Sequence, residues 1–435
     1  MKIKKTVLAV VIGSMSSACW GSGFGISGKS ASNLGNAFSG TTVLAEDASV
    51  AYTNPAAMQD IDGQEFSFLM NYIGSDVTFT DDGSSTSGDD RSNVDDPHYV
   101  PNFYAVTPLN DETRFGFGIY APFGLGLDYE DDWKGRYITT GSNLKIINFS
   151  PNVSYDVDEK LNLGFGVDFQ YLDAELANAV DFGTICYDYE AYGVIPGGAC
   201  AASGLAPQQN DGSQTLTGSN WAIGYSLGLT YDISDATRFG MAFHSATRHD
   251  ISGKSDFEGQ PDLLASVFSD TDADLTLVLP ETLSLGLGHK VSPRLQLMAD
   301  ATWTRWSRYD ELVVTFDNNV PTSRTEQNWK DVWRLSVGGN YRINDKWLMR
   351  AGFSHDPTPV PDAEHRSPRT PDETRNWISL GSNARVSKNM TVDVAVSYAK
   401  ADSIKIDNTD SMDHNLQGEF ENEILYLTAQ LNWRF

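Results

Sequence analysis

Apolar and polar residues alternate with a period of two through most of the chain after about residue 65. Leu161, Leu163, Phe165, Val167, Phe169 and Tyr171 alternate with Asn162, Gly164, Gly166, Asp168 and Gln170. The same rhythm runs through residues 221–231, 283–287, 390–398 and 425–435. Successive side chains of a strand point to opposite faces, so each segment has one apolar face. In a sandwich folded in water the other face is rich in charge. Here it is largely Gly, Ser, Thr, Asn, Gln and Asp, and aromatic residues gather at strand ends (Trp221, Tyr231, Trp303, Trp306, Tyr341, Trp347, Trp433). That combination predicts an all-β fold, a transmembrane antiparallel β-barrel with aromatic girdles. Short turns near residues 110, 158, 234, 292, 344 and 388 alternate with long segments at 81–97, 123–140, 178–218, 250–272, 307–328, 356–373 and 402–419. The rhythm implies about fourteen strands, with short turns on the periplasmic side and long loops outside.

Three regions follow. Residues 1–21 read as an export signal: Lys2, Lys4 and Lys5 precede a short apolar core, and small residues lead to Gly21. Cys19 invites a lipoprotein reading, but Ser16 stands where a large aliphatic residue is wanted. Residues 22–62 are rich in Gly, Ala and Ser, with bulky Phe24, Ile26, Leu34, Phe38, Val43 and Leu44 at intervals, and end near Asn54-Pro55-Ala56. Such a segment is either a flexible linker or a plug inside the barrel; the strands after it make the plug the expectation. Residues 63–435 form the barrel and its loops.

Composition narrows the function. The formal net charge is −27, which argues against nucleic acid as a partner. The acid concentrates in expected loops, where it is simply solvated or bridged by divalent cations to other loops or to anionic lipid headgroups. No stretch offers the ~20 consecutive apolar residues of a membrane helix. Cys186 and Cys200 are the two cysteines beyond the signal, and an exported chain meets an oxidising compartment, so they are expected to pair. Catalytic motifs are absent: there is no G-x-S-x-G, H-E-x-x-H or C-x-x-C, and the histidines are scattered. A Ser–His pair assembled in space is left open, yet the expectation is no enzyme, no cofactor and no metal. Asp270, Asp272 and Asp274 have ligand-like spacing but lack the Gly and Glu of a calcium loop.

Prolines punctuate the early strands (Pro101, Pro108, Pro122, Pro151), whereas among the later ones only the eighth carries an internal proline, Pro280. Residues 120–126, with Pro122 and Gly124, make the weakest ladder in the chain, either a strand end or a kinked third strand that leaves a gap in the wall. Leu263, Leu264, Val267 and Phe268 read as one side of a short loop helix. With the apolar residues of 191–205 they either cap the barrel or form a groove for an apolar ligand. Lys330, Arg334 and Arg350 fall on the lumenal side of their strands, to pair with lumenal carboxylates or to meet a ligand carboxylate.

Several stretches resemble the outer-membrane long-chain fatty acid transporters of the FadL type. They are SASNLGNAFSGTTVLAEDASVAYTNPAAM, YAPFGLGLDYEDDWKGRYI, LPETLSLGLGHKV, TWTRWSRYDEL and KDVWRLSVGGNYRINDKWLMRAGFSHDPTPVP. The resemblance covers nearly the whole mature chain. It implies a fourteen-stranded barrel with an N-terminal hatch (Asn54, Pro55, Ala56), an external groove between two long loops, and a lumenal site touching Phe24 and Ile26. It also implies an opening at the kinked third strand. The family's basic residues after the fifth strand and before the tenth fall at Asn178 and near Thr325, which leaves Arg324, Lys330 and Arg334 as candidates for the ligand carboxylate. The expectation is a monomer in the bacterial outer membrane, among its lipid and lipopolysaccharide, passing long-chain fatty acids or other hydrophobic small molecules. Monoaromatic hydrocarbon uptake is the alternative within transport; a polar-solute porin and a surface adhesin are alternatives of another kind.

Overall fold

A computed structural model describes residues 22–95 and 97–435; the expected signal segment, 1–21, lies outside the described residues. The alternating segments form fourteen consecutive barrel strands. They are β1 (Glu65–Asp81), β2 (His98–Pro108), β3 (Thr113–Tyr120, then Gly124–Asp128), β4 (Gly141–Asp158), β5 (Leu161–Asp181), β6 (Asp211–Ser234), β7 (Thr237–His244, then Thr247–Glu258) and β8 (Thr271–Leu279, then Thr282–Ser292). The remainder are β9 (Leu295–Thr304, then Glu311–Phe316), β10 (Ser323–Glu326, then Val332–Arg342), β11 (Trp347–Asp356), β12 (Arg375–Arg385), β13 (Met390–Thr409) and β14 (Asn415–Arg434). Each pairs antiparallel with its neighbours, and β1 closes on β14 from Glu65↔Arg434 to Asp81↔Gly418. Closure leaves no free edge, the condition a sheet must meet to cross a bilayer.

The barrel is inverted relative to a protein folded in water. Outward rows carry Phe165, Ile223, Leu335 and Ile378, the last 62% exposed, while inward rows bury Asn162, Gln170, Ser226, Ser336, Ser354 and Ser397. An apolar surface of that extent is covered by lipid tails at roughly 25 cal/mol per Å². Exposed Tyr231, Tyr341, Trp347 and Trp433 ring the short-turn end, and Trp221, Trp333 and Tyr398 ring the wall eight to ten residues further along their strands. That separation is the height of a tilted membrane strand.

The strands continue beyond the second ring. β5 and β6 pair up to Asp181↔Asp211, and β13 and β14 up to Thr409↔Asn415. Much of what the sequence reads as loops at 178–218, 250–272 and 402–419 is therefore ladder. Outside the membrane a strand needs no apolar outer face, so the alternation inverts: Asp173 and Glu175, opposite Ser219 and Thr217, face out, while Leu172 beside Asp173 is buried. Asp272 and Asp274 of the aspartate triplet lie on β8, and no metal-ligating cluster occurs among the described residues.

Residues 22–59 touch inward rows on several sides of the ring, whereas Asp60, Asp62, Gly63 and Gln64 are exposed at its end. The Ala31 N–H donates to the Gln430 side chain (2.8 Å), Asn71 and Asn102 donate to the Gly28 carbonyl (2.7 and 3.1 Å), and Gly40 and Thr42 donate to Asp300. The Asn54 amide donates to the Thr42 and Leu229 carbonyls (2.7 and 3.1 Å), while its oxygen accepts from the Ala56 N–H. Gly164 and Gly228, paired across β5 and β6, admit the Pro55-Ala56 backbone; a Cβ on Gly164 would stand 2.3 Å from the Ala56 nitrogen.

At the long-loop end a helix (Phe182–Ala191) and a short turn of helix (Ala199–Ala202) are joined by the Cys186–Cys200 disulfide. Phe182 packs edge-on against Phe268 (5.4 Å between centroids). His414, between β13 and β14, stacks on Tyr137 (4.1 Å) and hydrogen-bonds Asp181 (3.2 Å) and Asp410 (2.8 Å). Burial opposes charge on this imidazole, but the two carboxylates prevail and hold its pKa at about 9. The cluster's contribution is therefore complete below the ordinary histidine pKa near 6.5 and is lost as pH rises through about 9. Protease nicking of the 182–210 loop should rise over that interval in the wild type and become flat with pH in His414→Gln. Cys200→Ser should cost the cap about 3 kcal/mol, from the loop entropy of a crosslink of about 15 residues, and should accelerate nicking at 187–199 while the barrel stays heat-modifiable on gels.

Candidate functional site

Strand β3 does not run straight. It pairs with β4 as far as Tyr120↔Asn148 and resumes at Gly124↔Lys145, so Ile146 and Ile147 have no β3 partner. Against β2 it pairs only from Pro108↔Arg114 to Phe103↔Ile119, although β2 itself continues to His98. The break falls on Ala121-Pro122-Phe123, where Pro122 has no N–H to give the ladder. The N-terminal segment takes over the lost bonds. The Ile26 N–H donates to the Pro122 carbonyl and the Gly124 N–H to the Phe24 carbonyl (3.0 Å each), Gly25 bridges Phe123, and Lys29 donates to the Ala121 carbonyl (2.6 Å).

Behind this break lies a cavity of about 120 Å³, bounded by Ile26, Lys29, Pro122, His244, Arg334 and Asp356 among others. The Arg334 guanidinium sits 4.7 Å from the centre of the Phe38 ring, and its Nε is buried without a hydrogen-bond partner. Both carboxylate oxygens of buried Asp356 also lack partners. Lys29 lies 5.5 Å from the Tyr52 ring centre, and Tyr52 stacks obliquely on His244 (4.8 Å). Hydroxyl rows of β8 and β9 (Ser284, Thr302) complete one wall.

Beside the cavity, Phe24 is enclosed by aromatic rings. Its centroid lies 4.9 Å from Trp306, 5.6 Å from Tyr309, and 5.9 Å from both Trp329 and Phe123. Trp306 and Trp329 each bury an indole N–H with no partner. Gly23 reaches this cluster because a Cβ there would fall 2.6 Å from Trp329, and its φ of +63° suits glycine.

The expected residues divide. Phe24, Ile26, Pro122 and Arg334 converge on the cavity or its aromatic flank, and Gly124 flanks the break. Arg324 does not reach the lumen: it is exposed on β10 beyond the second ring and pairs with Glu311. Lys330 is also exposed, in the detour before Val332, where its N–H donates to the Pro359 carbonyl. Both precede the regular part of the strand, so counting alternate positions back from Trp333 does not place them. Arg350 pairs with Glu46 of the N-terminal segment (2.9 Å) and Asp393 (2.6 Å). Of the loop residues, Leu264 and Phe268 are buried against the 182–205 cap, Val267 packs on its edge, and Leu263 is 37% exposed. Asn54, Pro55 and Ala56 face the β5–β6 wall.

Lys29, Tyr309, Trp329 and Asp356 are not singled out by sequence reasoning, and Trp306, expected in an aromatic girdle, is instead buried against Phe24 because the strand breaks at Thr304 and turns it inward. A lone cation in a small-residue segment is a usable signal for Lys29. The aromatic set comes from the N-terminal segment and two strand detours, which no local pattern links.

A family model described as outer membrane protein transport protein (OMPP1/FadL/TodX) matches residues 12–435. A relative named long-chain fatty acid transport protein, from Escherichia coli O157:H7, is 30% identical over 417 residues, which are 92% of this chain and 93% of the relative. A solved Pseudomonas aeruginosa FadL homologue superposes with a TM-score of 0.85 at 24% identity, covering 95% of this chain and all of that one. The Pseudomonas putida toluene transporter TodX superposes at 0.71 with 18% identity, over 97% and 100% of the two chains. A membrane-spanning barrel with a polar, filled lumen and a family match over nearly its whole length leaves one assignment: the chain belongs to the OMPP1/FadL/TodX family of outer-membrane transport proteins, which are transporters and not enzymes.

Proposed function

We propose that this protein passes long-chain fatty acids across the outer membrane by diffusion through the barrel. The observation that carries the reading is that one cavity is bounded both by Arg334 and by the broken third strand at Pro122. A fatty acid needs a cation for its carboxylate and a route back to apolar surroundings for its tail, which regains ~0.8 kcal/mol per CH₂ on burial. The name of the Escherichia coli relative supports the same substrate. Ligand would settle first on the loop surface around Leu263 and Val267, then enter the lumen. A rearrangement of the N-terminal hatch (residues 22–62, pivoting near Asn54-Pro55-Ala56) would withdraw Phe24 and Ile26 and release the ligand sideways at β3. The protein would act as a monomer, its acidic loops meeting lipopolysaccharide.

A monoaromatic hydrocarbon has no carboxylate for Arg334 and would gain from it only a cation–π contact of the kind Phe38 already makes, so monoaromatic uptake is the weaker alternative. A polar-solute porin wants an open constriction, which a segment filling the lumen does not provide.

Oleate should bind the detergent-solubilised protein saturably, and toluene should fail to displace it. Arg334→Ala should weaken oleate about 10- to 100-fold, the worth of a charge-assisted hydrogen bond of ~1.5–3 kcal/mol. Toluene binding without oleate binding would transfer the protein to the hydrocarbon branch. Asn54→Ala with Pro55→Ala should cut oleate uptake by cells while leaving heat-modifiable barrel at wild-type level; unchanged uptake would remove the hatch from the mechanism.

A further inference from the structure

The wall has a second interruption, at the level of Pro280. There β7 stops at His244 and resumes at Thr247, β8 stops at Leu279 and resumes at Thr282, and β9 stops at Thr304 and resumes at Glu311. These breaks share one height, since Thr282 pairs with both His244 and Thr304, and Thr304 with Val332 where β10 resumes. Above it the Arg305 N–H donates to the Glu281 carbonyl (3.1 Å), and β8 and β9 then meet again only from Leu275↔Val314 onward. In the interval the chain detours through a single 3₁₀ turn, Trp306–Arg308. The notch lies just beyond the paired Trp303 and Trp333, at the outer headgroup level.

A cavity of about 610 Å³ occupies it. Its lining draws on both faces of the wall: Ile251 and Leu275 belong to inward rows, Arg248 and Thr276 to outward ones. A cavity lined from both rows is set into the wall itself. Its apolar side is Ile251, Leu275, Tyr309 and Val313. Its rim carries Arg248, Arg308 and Arg324, interleaved with Asp250, Asp274, Asp310 and Glu311. Each arginine holds one carboxylate (Asp250, Glu281 and Glu311 respectively), and Arg248 and Arg324 are more than half exposed. A ligand carboxylate can therefore exchange onto a guanidinium without being stripped of water.

Tyr309 links this cavity to the lumen. It lines the wall cavity and also belongs to the ring cluster around Phe24, whose member Trp306 lines the lumenal cavity of Arg334. The aromatic cluster is thus a partition between the two spaces, and Phe24 is its one member from the segment before the first strand.

We propose that the notch between β8 and β9 is a side entrance, through which a single-chain carboxylate lipid dissolved in the outer leaflet reaches the lumenal cavity when Phe24 leaves the aromatic partition. The proposal rests on the fatty-acid reading above and adds a route that bypasses the loops. Thr276 and Val313 would form the next rung after Leu275↔Val314, so a Thr276→Cys, Val313→Cys pair can staple the notch shut. Labelled oleate preloaded into outer-membrane vesicles serves as the probe, with equilibrium oleate binding measured on the same purified proteins. The oxidised pair should take up preloaded oleate several-fold more slowly than wild type, recover on reduction, and bind oleate at equilibrium as wild type does. Should the staple fail to form, Val278→Trp fills the notch and is held to the same outcome. Wild-type uptake rates in the closed or filled protein, with binding intact, would overturn the entrance and leave the fatty-acid reading standing. Absence of oleate binding in the wild type would overturn both.

Discussion

Every backbone N–H and C=O at membrane depth must find a partner within the protein, since the acyl region offers none. Closure of β1 on β14 meets that demand for the barrel as a whole. The interesting places are where the ladder is broken, because there something else must supply the missing bonds. At β3 the supplier is the N-terminal segment, whose Phe24 and Ile26 backbone groups and Lys29 side chain take up the carbonyls and amide released around Pro122. The wall and its filling are therefore one hydrogen-bonded object at that point. Withdrawal of the segment, as proposed above, would unpair the break, and reseating it would close the break again.

The same demand explains the lumen's chemistry. A segment without strand or long helix carries many backbone groups that do not pair internally, so the inward rows must be side-chain donors and acceptors: Asn71, Asn102, Asp300 and Gln430 serve in that way. Where the segment comes closest, the rows give up side chains altogether, as at Gly164 and Gly228 beneath Pro55 and Ala56. Arg350 adds a charged anchor, held between Glu46 of the segment and Asp393 of the wall. Removing either carboxylate would leave a buried guanidinium partly uncompensated, which is the costly kind of loss.

What could be read in the sequence follows from which constraints act locally. Lipid outside and a polar lumen inside impose a period of two, so residues 161–171 declare their strand at once. Pro122 and Pro280 announce breaks because a missing N–H is a property of one residue. Above the membrane the outer face meets water and the apolar face turns inward (Ile404, Ile406, Leu416, Phe420), so the alternation inverts and the long ladders of β5, β6, β13 and β14 read as loops where an apolar outer face is sought. Arg334 lies within the regular part of β10, so its facing follows from alternation, whereas Arg324 precedes and Lys330 lies in a detour that resets the facing. The Phe24 cluster was invisible for a different reason. Phe24, Trp306, Tyr309 and Trp329 are brought together by closure of the whole barrel, and no short-range pattern encodes that.

The two breaks differ in how they are sealed, and the difference bears on what can pass them. Backbone hydrogen bonds seal β3, so opening it requires the bonds of Ile26 and Gly124 to find replacements. Aromatic side chains seal the β8–β9 notch from within, by edge-on contacts worth ~0.5–1.5 kcal/mol a pair beyond their burial. An entering acyl chain can repay those contacts in kind, carbon for carbon, because it offers the rings another apolar surface. It cannot repay a backbone hydrogen bond. A ligand can thus loosen the aromatic seal by its own binding, while release at β3 depends on the segment moving for reasons of its own. The Phe24 ring sits in the aromatic seal and its carbonyl in the backbone seal, so displacing that one residue weakens both. In the proposed route, entry and exit would be coupled through three residues of chain, Phe24 to Ile26, and the net direction of traffic would be set by the ligand's own concentration gradient.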